Sequence, residues 1–400
     1  MKKTNKKNNL YSEMTAKQLK VLAEQGNAEA QFILAGRYKK GIGIKKDFAK
    51  VVEWYTKAAE QGHSGAQNNL GVCYNHGRGV EKDYAKAVDW YTKAAEQGSM
   101  GAQWNLGACY YYGTGVEKDY TKALGWFFKA AAQGDSWSQN DIGICYLNGY
   151  GIEKNPVKGV EWIRKAAKQG FATAQFNLAG CYKDGKGVEQ DDKQAVKWYT
   201  KAALQGNMWA QNNLGICYEY GDGVRKNYKK AVEWYTKAAE QGSDKAQYHL
   251  GFCYKNGLGV KKDHVKAVEW YTKAAIQGDM SAQYALGLCF GKGKGVEKNL
   301  RQSVKWYLKA ANQGHPWAQN NLAICYERGE GVRKSYKNAV QWYTKASEQG
   351  FVMAQYNLAE CYEIGRGVIK DIEKAVEWYT KAAEQGDQEA KEKLLLLHKA

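Results

Sequence analysis

Apolar residues along the chain recur at helical spacing, and residues 102–134 show the pattern clearly. In the stretch AQWNLGACYYYG, Leu106, Cys109 and Tyr110 follow one another at steps of three and one, which places them on one face of a helix. The stretch YTKALGWFFKAAAQG carries a second stripe, made of Ala123, Trp126, Phe127 and Ala130. The loop GTGVEKD lies between the two stretches. The pattern predicts two amphipathic helices joined by a glycine-rich loop.

This helix pair returns every 36 residues without an insertion. The pair Ala66-Gln67 has counterparts that begin at positions 30, 102, 138, 174, 210, 246, 282, 318, 354 and 390. A fixed period of this length indicates one stacked array rather than the two or three domains that 400 residues would otherwise suggest. We therefore predict an all-α solenoid in which ten helix-turn-helix repeats occupy residues 27–386.

Polar residues and glycines mark the ends of the predicted helices. The residue before each second helix is always a good N-cap, since its side-chain oxygen can accept a hydrogen bond from the first turn. These residues are Asp47, Asp83, Asp119, Asn155, Asp191, Asn227, Asp263, Asn299, Ser335 and Asp371. Gly98 and its counterparts suit a left-handed residue after the second helix. Pro156 and Pro316 stand at first helical positions, where a missing N–H costs nothing.

The two ends of the chain depart from the repeat. Residues 1–12 form a basic, polar tail that we expect to be disordered. Residues 13–26 predict a lone capping helix at the start of the array, and residues 387–400 predict another at its end, with Leu394 in the core register. No apolar run of signal-peptide or membrane-spanning length occurs in the sequence. We expect a cytoplasmic protein, and unconventional export stays open.

The full repeat can be written A-Q-x-N-L-G-x-x-Y-x-x-G-x-G-V-x-x-D-x-x-K-A-x-x-W-Y-x-K-A-A-x-Q-G. It resembles the Sel-1-like repeat, a longer-looped relative of the tetratricopeptide repeat, over residues 27–400. The resemblance implies a right-handed superhelix of antiparallel helix pairs and an adaptor role in assembling other proteins. A cysteine-rich branch of this family has a disulfide in each repeat. This chain has one cysteine per repeat and departs from that branch.

All nine cysteines occupy one register, which decides their chemistry. They are Cys73, Cys109, Cys145, Cys181, Cys217, Cys253, Cys289, Cys325 and Cys361. Neighbouring thiols are separated by two helix diameters of roughly 8–10 Å each. A disulfide needs Cα atoms within about 7 Å, and a zinc site needs converging ligands. We therefore expect buried, reduced thiols, with no metal and no other cofactor.

Other motifs that could indicate ligand binding or catalysis are weak. Gly-x-Gly pairs such as Gly77 and Gly79 follow a helix rather than a strand, which favours turns with positive φ over a nucleotide loop. The histidines His63, His76, His249, His264, His315 and His398 share no register and indicate surface or capping positions. No triad or paired-carboxylate spacing occurs, so we predict a protein without enzymatic activity. Ten tryptophans in one register, from Trp54 to Trp378, are assigned to the core.

A partner-binding surface should lie where the repeats differ. In tetratricopeptide-like arrays the first helix of each pair lines the concave groove, and positions 65, 68, 72, 75 and 76 with their counterparts form one such face. The predicted aromatic anchors on this face are Phe32, Trp104, Tyr111, Tyr112, Trp137, Phe176, Trp209, Tyr248, Tyr284, Trp317 and Tyr356. Such anchors carry much of the energy of protein interfaces. The alternative is that these rings pack against a neighbouring repeat.

Trp104, Tyr111, Tyr112 and Trp137 are expected to form one cluster across the third and fourth repeats. Asparagines recur on the same helices at Asn69, Asn105, Asn177, Asn213, Asn321 and Asn357, with Asp141 and His249 as variants. The resemblance to peptide-binding tetratricopeptide proteins implies that these amides hold the backbone of an extended peptide. The alternative is a hydrogen bond between repeats that every repeat needs.

The net charge of +18 raises the question of an anionic partner. Lysines such as Lys82, Lys86 and Lys93 recur at fixed places, which indicates a solvated face. The groove mixes both signs of charge rather than forming a cationic track, which argues against nucleic acid. We expect a protein or peptide partner and a monomeric array. The second candidate is an anionic surface, nucleic acid or acidic membrane, bound by the convex lysines, and the third is a host-directed secreted effector.

Overall fold

A computed structural model describes Tyr11 and residues 14–397, and every complete regular element in this part of the chain is an α-helix. The predicted disordered tail, except Tyr11, and the residues after 397 lie outside the described residues. The helices are α1 Ala16–Glu24, α2 Ala28–Lys40, α3 Phe48–Glu60, α4 Ser64–His76, α5 Tyr84–Glu96, α6 Met100–Tyr112, α7 Tyr120–Ala132, α8 Ser136–Asn148, α9 Pro156–Lys168, α10 Ala172–Asp184, α11 Asp192–Leu204, α12 Met208–Tyr220, α13 Tyr228–Glu240, α14 Asp244–Asn256, α15 His264–Ile276, α16 Met280–Lys292, α17 Leu300–Asn312, α18 Pro316–Arg328, α19 Tyr336–Glu348, α20 Val352–Ile364, α21 Ile372–Glu384 and α22 Gln388–Leu397.

The chain divides into two compact units, residues 1–202 and residues 203–400. Within the first unit successive helices pack on one another from α1 to α10, so that α4 contacts α5 and α5 contacts α6. The second unit repeats this order, for example from α13 through α14 to α15. The prediction of an all-α solenoid with ten repeated helix pairs is confirmed. At the chain ends, α1 packs on α2 and α22 packs on α21, and Leu394 is half-buried there.

The predicted helix ends are confirmed. All ten N-cap side chains accept a hydrogen bond from the amide three residues further on, at 2.9–3.3 Å. Gly77 ends α4 with φ of 65°, and Gly98 follows α5 with φ of 84°. Only glycine adopts such left-handed angles readily, so these residues close each helix and turn the chain into the next.

The core lies between the two helices of a pair and the first helix of the next pair. Leu70 and Tyr91 are almost fully buried, together with alanines such as Ala94. A Cβ at Gly71 would lie 2.7 Å from the Tyr91 ring, so a glycine there makes room for the tyrosine. Full burial of one large side chain contributes about 1.5–3 kcal/mol, which makes the repeated tyrosine a main source of stability.

The tryptophan register corrects the sequence prediction. Trp54 is buried, but its nine counterparts are half-buried at the edge of the core. In every repeat the lysine three residues later lies over the indole, as Lys93 lies over Trp90, with Nζ 3.8–4.4 Å from the ring centroid. Spacing alone could not separate Trp90 from the adjacent Tyr91, because both fall within one helical stripe.

Glutamine and glycine connect neighbouring repeats, which the sequence analysis missed. Gln67 Nε2 donates to the carbonyl of Ala59 at 3.1 Å, and Gln97 Nε2 donates to Gln67 Oε1 at 2.7 Å. Gly79 lies so close to the preceding second helix that a Cβ would stand 2.1 Å from the carbonyl oxygen of Phe48. The Gln residues of the AQ and QG motifs and the second glycine of Gly-x-Gly are therefore structural.

Candidate functional site

Three tryptophans expose large apolar rings from the first turn of a first helix. Trp137, Trp209 and Trp317 are each the second residue of their helices, α8, α12 and α18. Their exposed fractions are 50%, 56% and 47%, whereas the tryptophans over the core are buried or half-buried. An exposed ring of this size in the same place of three repeats is a feature of interfaces rather than of cores.

Two of these tryptophans also contact the next repeat. The ring centroids of Trp137 and Phe171 are 4.6 Å apart, and those of Trp317 and Phe351 are 4.7 Å apart. Phe171 and Phe351 stand at the N-cap positions of α10 and α20, where neither forms a side-chain cap hydrogen bond. An aromatic residue at a position that is otherwise polar was the sequence signal for this pairing. Each indole is thus held on one side and remains half exposed.

The structure brings Trp104, Tyr111, Tyr112 and Trp137 to one place in the first unit. The Trp104 and Trp137 rings are 5.2 Å apart, and the Tyr111 and Tyr112 rings are 4.9 Å apart. With Phe171 and Asp141 they line a cavity of about 240 Å³, which we call the aromatic pocket. Tyr112 is 71% exposed at its edge, and burial raises the pKa of the deeper Tyr111 hydroxyl.

Asp141 provides the only acidic side chain that lines this pocket among the described residues. Its Oδ2 accepts a hydrogen bond from Trp104 Nε1 at 2.9 Å, and its Oδ1 accepts one from Asn140 Nδ2 at 3.2 Å. Burial raises the pKa of this carboxyl to about 6, although both hydrogen bonds act in the opposite direction. The carboxylate is therefore charged at neutral pH but poorly solvated.

A second cavity adjoins the aromatic pocket. It has a volume of about 470 Å³ and shares Trp104, Ala108 and Tyr112 with the pocket. Its far side is polar and includes His76 and Lys82. The two cavities give the first unit a trough that is apolar at one end and polar at the other. Such a combination suits a side chain or peptide segment that is itself amphipathic.

The remaining predicted aromatic anchors have a different environment. Each is half-buried, and its ring lies 5.4–6.0 Å from the buried core ring on the second helix of the same pair. These five residues are Phe32, Phe176, Tyr248, Tyr284 and Tyr356. Their contacts favour the packing alternative, and a role in partner binding stays a prediction for them.

The recurring asparagines form contacts between repeats. Asn105 Nδ2 donates to Asn68 Oδ1 at 2.9 Å, and the equivalent bonds of Asn177 and Asn357 measure 2.8 and 3.0 Å. Asn69 donates to the Tyr55 hydroxyl at 3.1 Å. In the second unit, Asn321 bonds the Tyr284 and Tyr307 hydroxyls of the preceding repeat, whereas the bond that Asn213 accepts from Asn212, at 3.2 Å, lies within one helix. The structural alternative thus applies to these amides, while peptide binding by them stays a prediction.

The cysteines and three of the histidines have defined surroundings, and His398 lies outside the described residues. All nine cysteines are buried, as expected, and burial raises the pKa of Cys145 to about 12. His63 and His315 accept cap hydrogen bonds from Ala66 and Ala318, whereas His249 is half-buried against Tyr235. Within the described part of the chain, no three potential metal ligands cluster. None of its helices is both long and apolar enough to span a membrane.

The helix pairs, caps and glycine turns recur in a known family. The family model described as the Sel1 repeat matches ten successive segments: residues 28–63, 64–99, 101–135, 138–171, 172–207, 210–243, 244–279, 281–315, 318–351 and 352–387. The chain belongs to the Sel1 repeat family. Repeats of this family generally act as protein-interaction scaffolds without enzymatic activity. No curated protein matches the chain.

Two solved structures extend this comparison. A protective antigen of uropathogenic Escherichia coli, described as displaying an SLR fold, is 40% identical, with a TM-score of 0.76. That match covers 95% of this Sel1 repeat chain and 82% of the antigen. A Sel1 repeat protein from Oxalobacter formigenes is 32% identical, with a TM-score of 0.60, over 77% of this chain and 89% of that one.

Proposed function

We propose that this Sel1 repeat protein is a non-enzymatic scaffold that binds a polypeptide partner through the exposed faces of its first helices. The observation that carries the proposal is the exposure of Trp137, Trp209 and Trp317 at equivalent positions of three repeats. Each indole keeps about half of its surface in water in the absence of a partner. Covering these rings would release that water, which is the main source of affinity in protein interfaces.

The surroundings of the rings support a polypeptide partner. Trp137 and Trp317 are each held by a phenylalanine of the next repeat, so little rotamer freedom would be lost on binding. Tyr112 and Tyr220 end first helices α6 and α12 with exposed fractions of 71% and 63%, and their hydroxyls can bond a peptide backbone. The half-buried asparagines would then serve as secondary donors along the same face.

The test is selection of binding peptides with the full chain. A displayed library of random peptides is selected on the wild-type protein, and the enriched peptides are titrated against a variant with Trp137→Ala, Trp209→Ala and Trp317→Ala. The matched control carries Leu204→Ala, Ile276→Ala and Ile369→Ala, which remove exposed apolar side chains from second helices and a loop. Melting of all proteins is followed by circular dichroism.

We expect the tryptophan variant to bind the enriched peptides at least tenfold more weakly and to melt within a few degrees of the wild type. The control should bind as the wild type does. Equal binding by the two variants would contradict the proposal. A large loss of melting temperature in the tryptophan variant would assign these rings to structure instead, since half-exposed anchors contribute little to folding.

The second candidate, binding of an anionic surface, has one observation in its favour. In the second unit a concavity of about 500 Å³ is lined by Arg225, Lys226 and Lys230 beside Tyr218. Binding to heparin or to vesicles with phosphatidylserine should then fall steeply as salt rises. Replacement of these three basic residues by Ser should abolish it, whereas the tryptophan variant should keep it.

A further inference from the structure

The aromatic pocket combines two features that favour a positive charge. The rings of Trp104, Trp137 and Phe171 line it, and ring faces attract cations through their quadrupoles. Asp141 adds a carboxylate at the same pocket, already fixed by its bond from Trp104 Nε1. Among the described residues that line the pocket, none is basic. The described lining of the pocket therefore supplies no counter-ion for the negative charge of Asp141.

The repeat does not need an acid at this position. The register of Asp141 is occupied by asparagine in six other repeats, for example Asn105 and Asn177, and their amides bond the preceding repeat. An amide would avoid the cost of desolvating a charge. An acid that is costly for the fold and has no basic residue beside it in the described lining of the pocket points to a ligand that supplies the missing charge.

The chain contains its own comparison site in the second unit. Trp317 and Phe351 form a pair like that of Trp137 and Phe171, with ring separations of 4.7 and 4.6 Å. At this site Asn321 stands at the position equivalent to Asp141, and Lys292 stands at the position equivalent to Tyr112. Lys292 would repel a cation at that position. The aromatic pair alone is thus common to both units, and the features suited to a cation occur only in the first.

We propose that the aromatic pocket binds one lysine or arginine side chain of the partner polypeptide. The proposal rests on the proposed function, because it assigns a specific contact to that partner. The cavity of about 240 Å³ is smaller than the roughly 300–1,000 Å³ of sites for drug-sized ligands and matches a single side chain. The cationic end would lie against Asp141, and the alkyl part would pack against the exposed Trp137 ring.

Binding should depend on pH through Asp141. The titratable groups that face it are Asp135 and Cys145 on its own repeat and Tyr112 on α6. His76 and Lys82 lie in the adjoining cavity. Protonation of Asp141 removes the negative charge at acid pH, so affinity for a cation should fall as pH drops from 7.5 to 5. Any contribution of His76 would persist in a variant that lacks the Asp141 charge.

The probes are the peptides acetyl-GGRGG-amide and acetyl-GGKGG-amide, with citrulline and norleucine versions as neutral controls. Binding to the full ¹⁵N-labelled chain is followed at the indole resonance of Trp137, assigned by its absence in the Trp137→Phe spectrum. The test variant is Asp141→Asn, which keeps an oxygen acceptor for Trp104 Nε1 and places the residue of the other repeats. The matched control is Asn321→Asp, which adds a carboxylate at the equivalent position of the comparison site, where Lys292 replaces Tyr112.

We expect the basic peptides to shift the Trp137 resonance saturably, with at least fivefold weaker binding to Asp141→Asn and a pH dependence that this variant loses. Neutral peptides should cause little shift, and Asn321→Asp should leave binding at Trp137 unchanged. Equal shifts with neutral peptides, no saturable shift, or unchanged affinity in Asp141→Asn would overturn the assignment.

The peptides enriched with the full chain separate this proposal from the scaffold proposal. Binding that needs the three tryptophans but ignores Asp141→Asn would leave the scaffold intact and overturn the cation site. Basic probes that bind at Trp137 through Asp141, while no enriched peptide needs Trp209 or Trp317, would support the cation site and remove the wider binding face.

Discussion

Replacement of Asp141 by asparagine should stabilise the protein at neutral pH. In the folded protein burial raises the pKa of this carboxyl from 3.8 to about 6. The folded state therefore binds this proton more tightly than the unfolded chain, and the contribution of Asp141 to stability falls as pH rises from about 4 to about 6. Each pKa unit corresponds to about 1.4 kcal/mol. The difference of about two gives a cost of about 3 kcal/mol at pH 7.

The Asp141→Asn variant removes this cost and keeps an acceptor for Trp104 Nε1. Because about 1 kcal/mol of the cost is already present at pH 4.5, we expect its stability relative to the wild type to be higher at pH 7.5 than at pH 4.5 by about 2 kcal/mol. The measurement is urea denaturation of both proteins at both pH values, followed by circular dichroism. Other titrating groups cancel, because only the difference between the two proteins is compared at each pH.

Asp83→Asn provides a control, because the pKa of the Asp83 carboxyl is shifted in the opposite direction from that of Asp141. Asp83 caps α5 through a hydrogen bond from the Lys86 amide, and this bond lowers the pKa of its carboxyl. Its charged form stabilises the fold above the unfolded pKa, and this contribution is lost as pH falls through the folded pKa. Because pH 4.5 and pH 7.5 both lie above the ordinary pKa of 3.8, Asp83→Asn should change the stability by nearly the same amount at the two pH values. Equal pH dependence in the two variants would refute the explanation for Asp141.

Three further predictions concern the repeat itself. Gly115→Ala should destabilise the protein by at least about 2 kcal/mol, because a Cβ there would lie 2.3 Å from the Tyr84 carbonyl oxygen. Gly98→Ala meets no atom within 4 Å and should cost only the left-handed backbone penalty of about 1–2 kcal/mol, as compared by urea denaturation. Gln67→Ala removes two hydrogen bonds, so thermal unfolding should report a loss of about 1–3 kcal/mol. Burial raises the pKa of Cys109 to about 11, so at pH 8 a thiol reagent should modify it far more slowly in the folded chain than in urea, and equal rates would contradict this burial.

Local interactions made much of the fold predictable. The N-caps, the left-handed glycines and the first-position prolines act within a few residues of the chain, so their residue types reveal the helix ends directly. Because the 36-residue period is exact, each helix end identified in one repeat could be assigned in all the others. The sequence could not show in this way that Tyr91 is more deeply buried than Trp90, because the neighbouring repeat decides which ring faces the core.

For the same reason, the candidate site could be predicted only in part from the sequence. Exposure of Trp137 depends on which groups of α10 come near it, and Phe171 was not expected to be one of them. Asp141 stood out in the sequence only as a variant of an asparagine register. Its significance depends on Trp104 and on the absence of a basic side chain from the lining that the structure describes, and neither follows from spacing.

The bond from Gln97 to Gln67 has a consequence for how such a chain can change in length. The same bond joins the repeats on either side, for example Gln133 to Gln103 at 2.8 Å. The glutamine donor and the glutamine acceptor therefore stand at the same positions in each of these junctions. A duplication or deletion of one whole 36-residue segment would present matching surfaces to the pieces it joins, whereas a shift of a few residues would not. Genetic expansion and contraction by complete units is thus permitted by the chemistry of the junction.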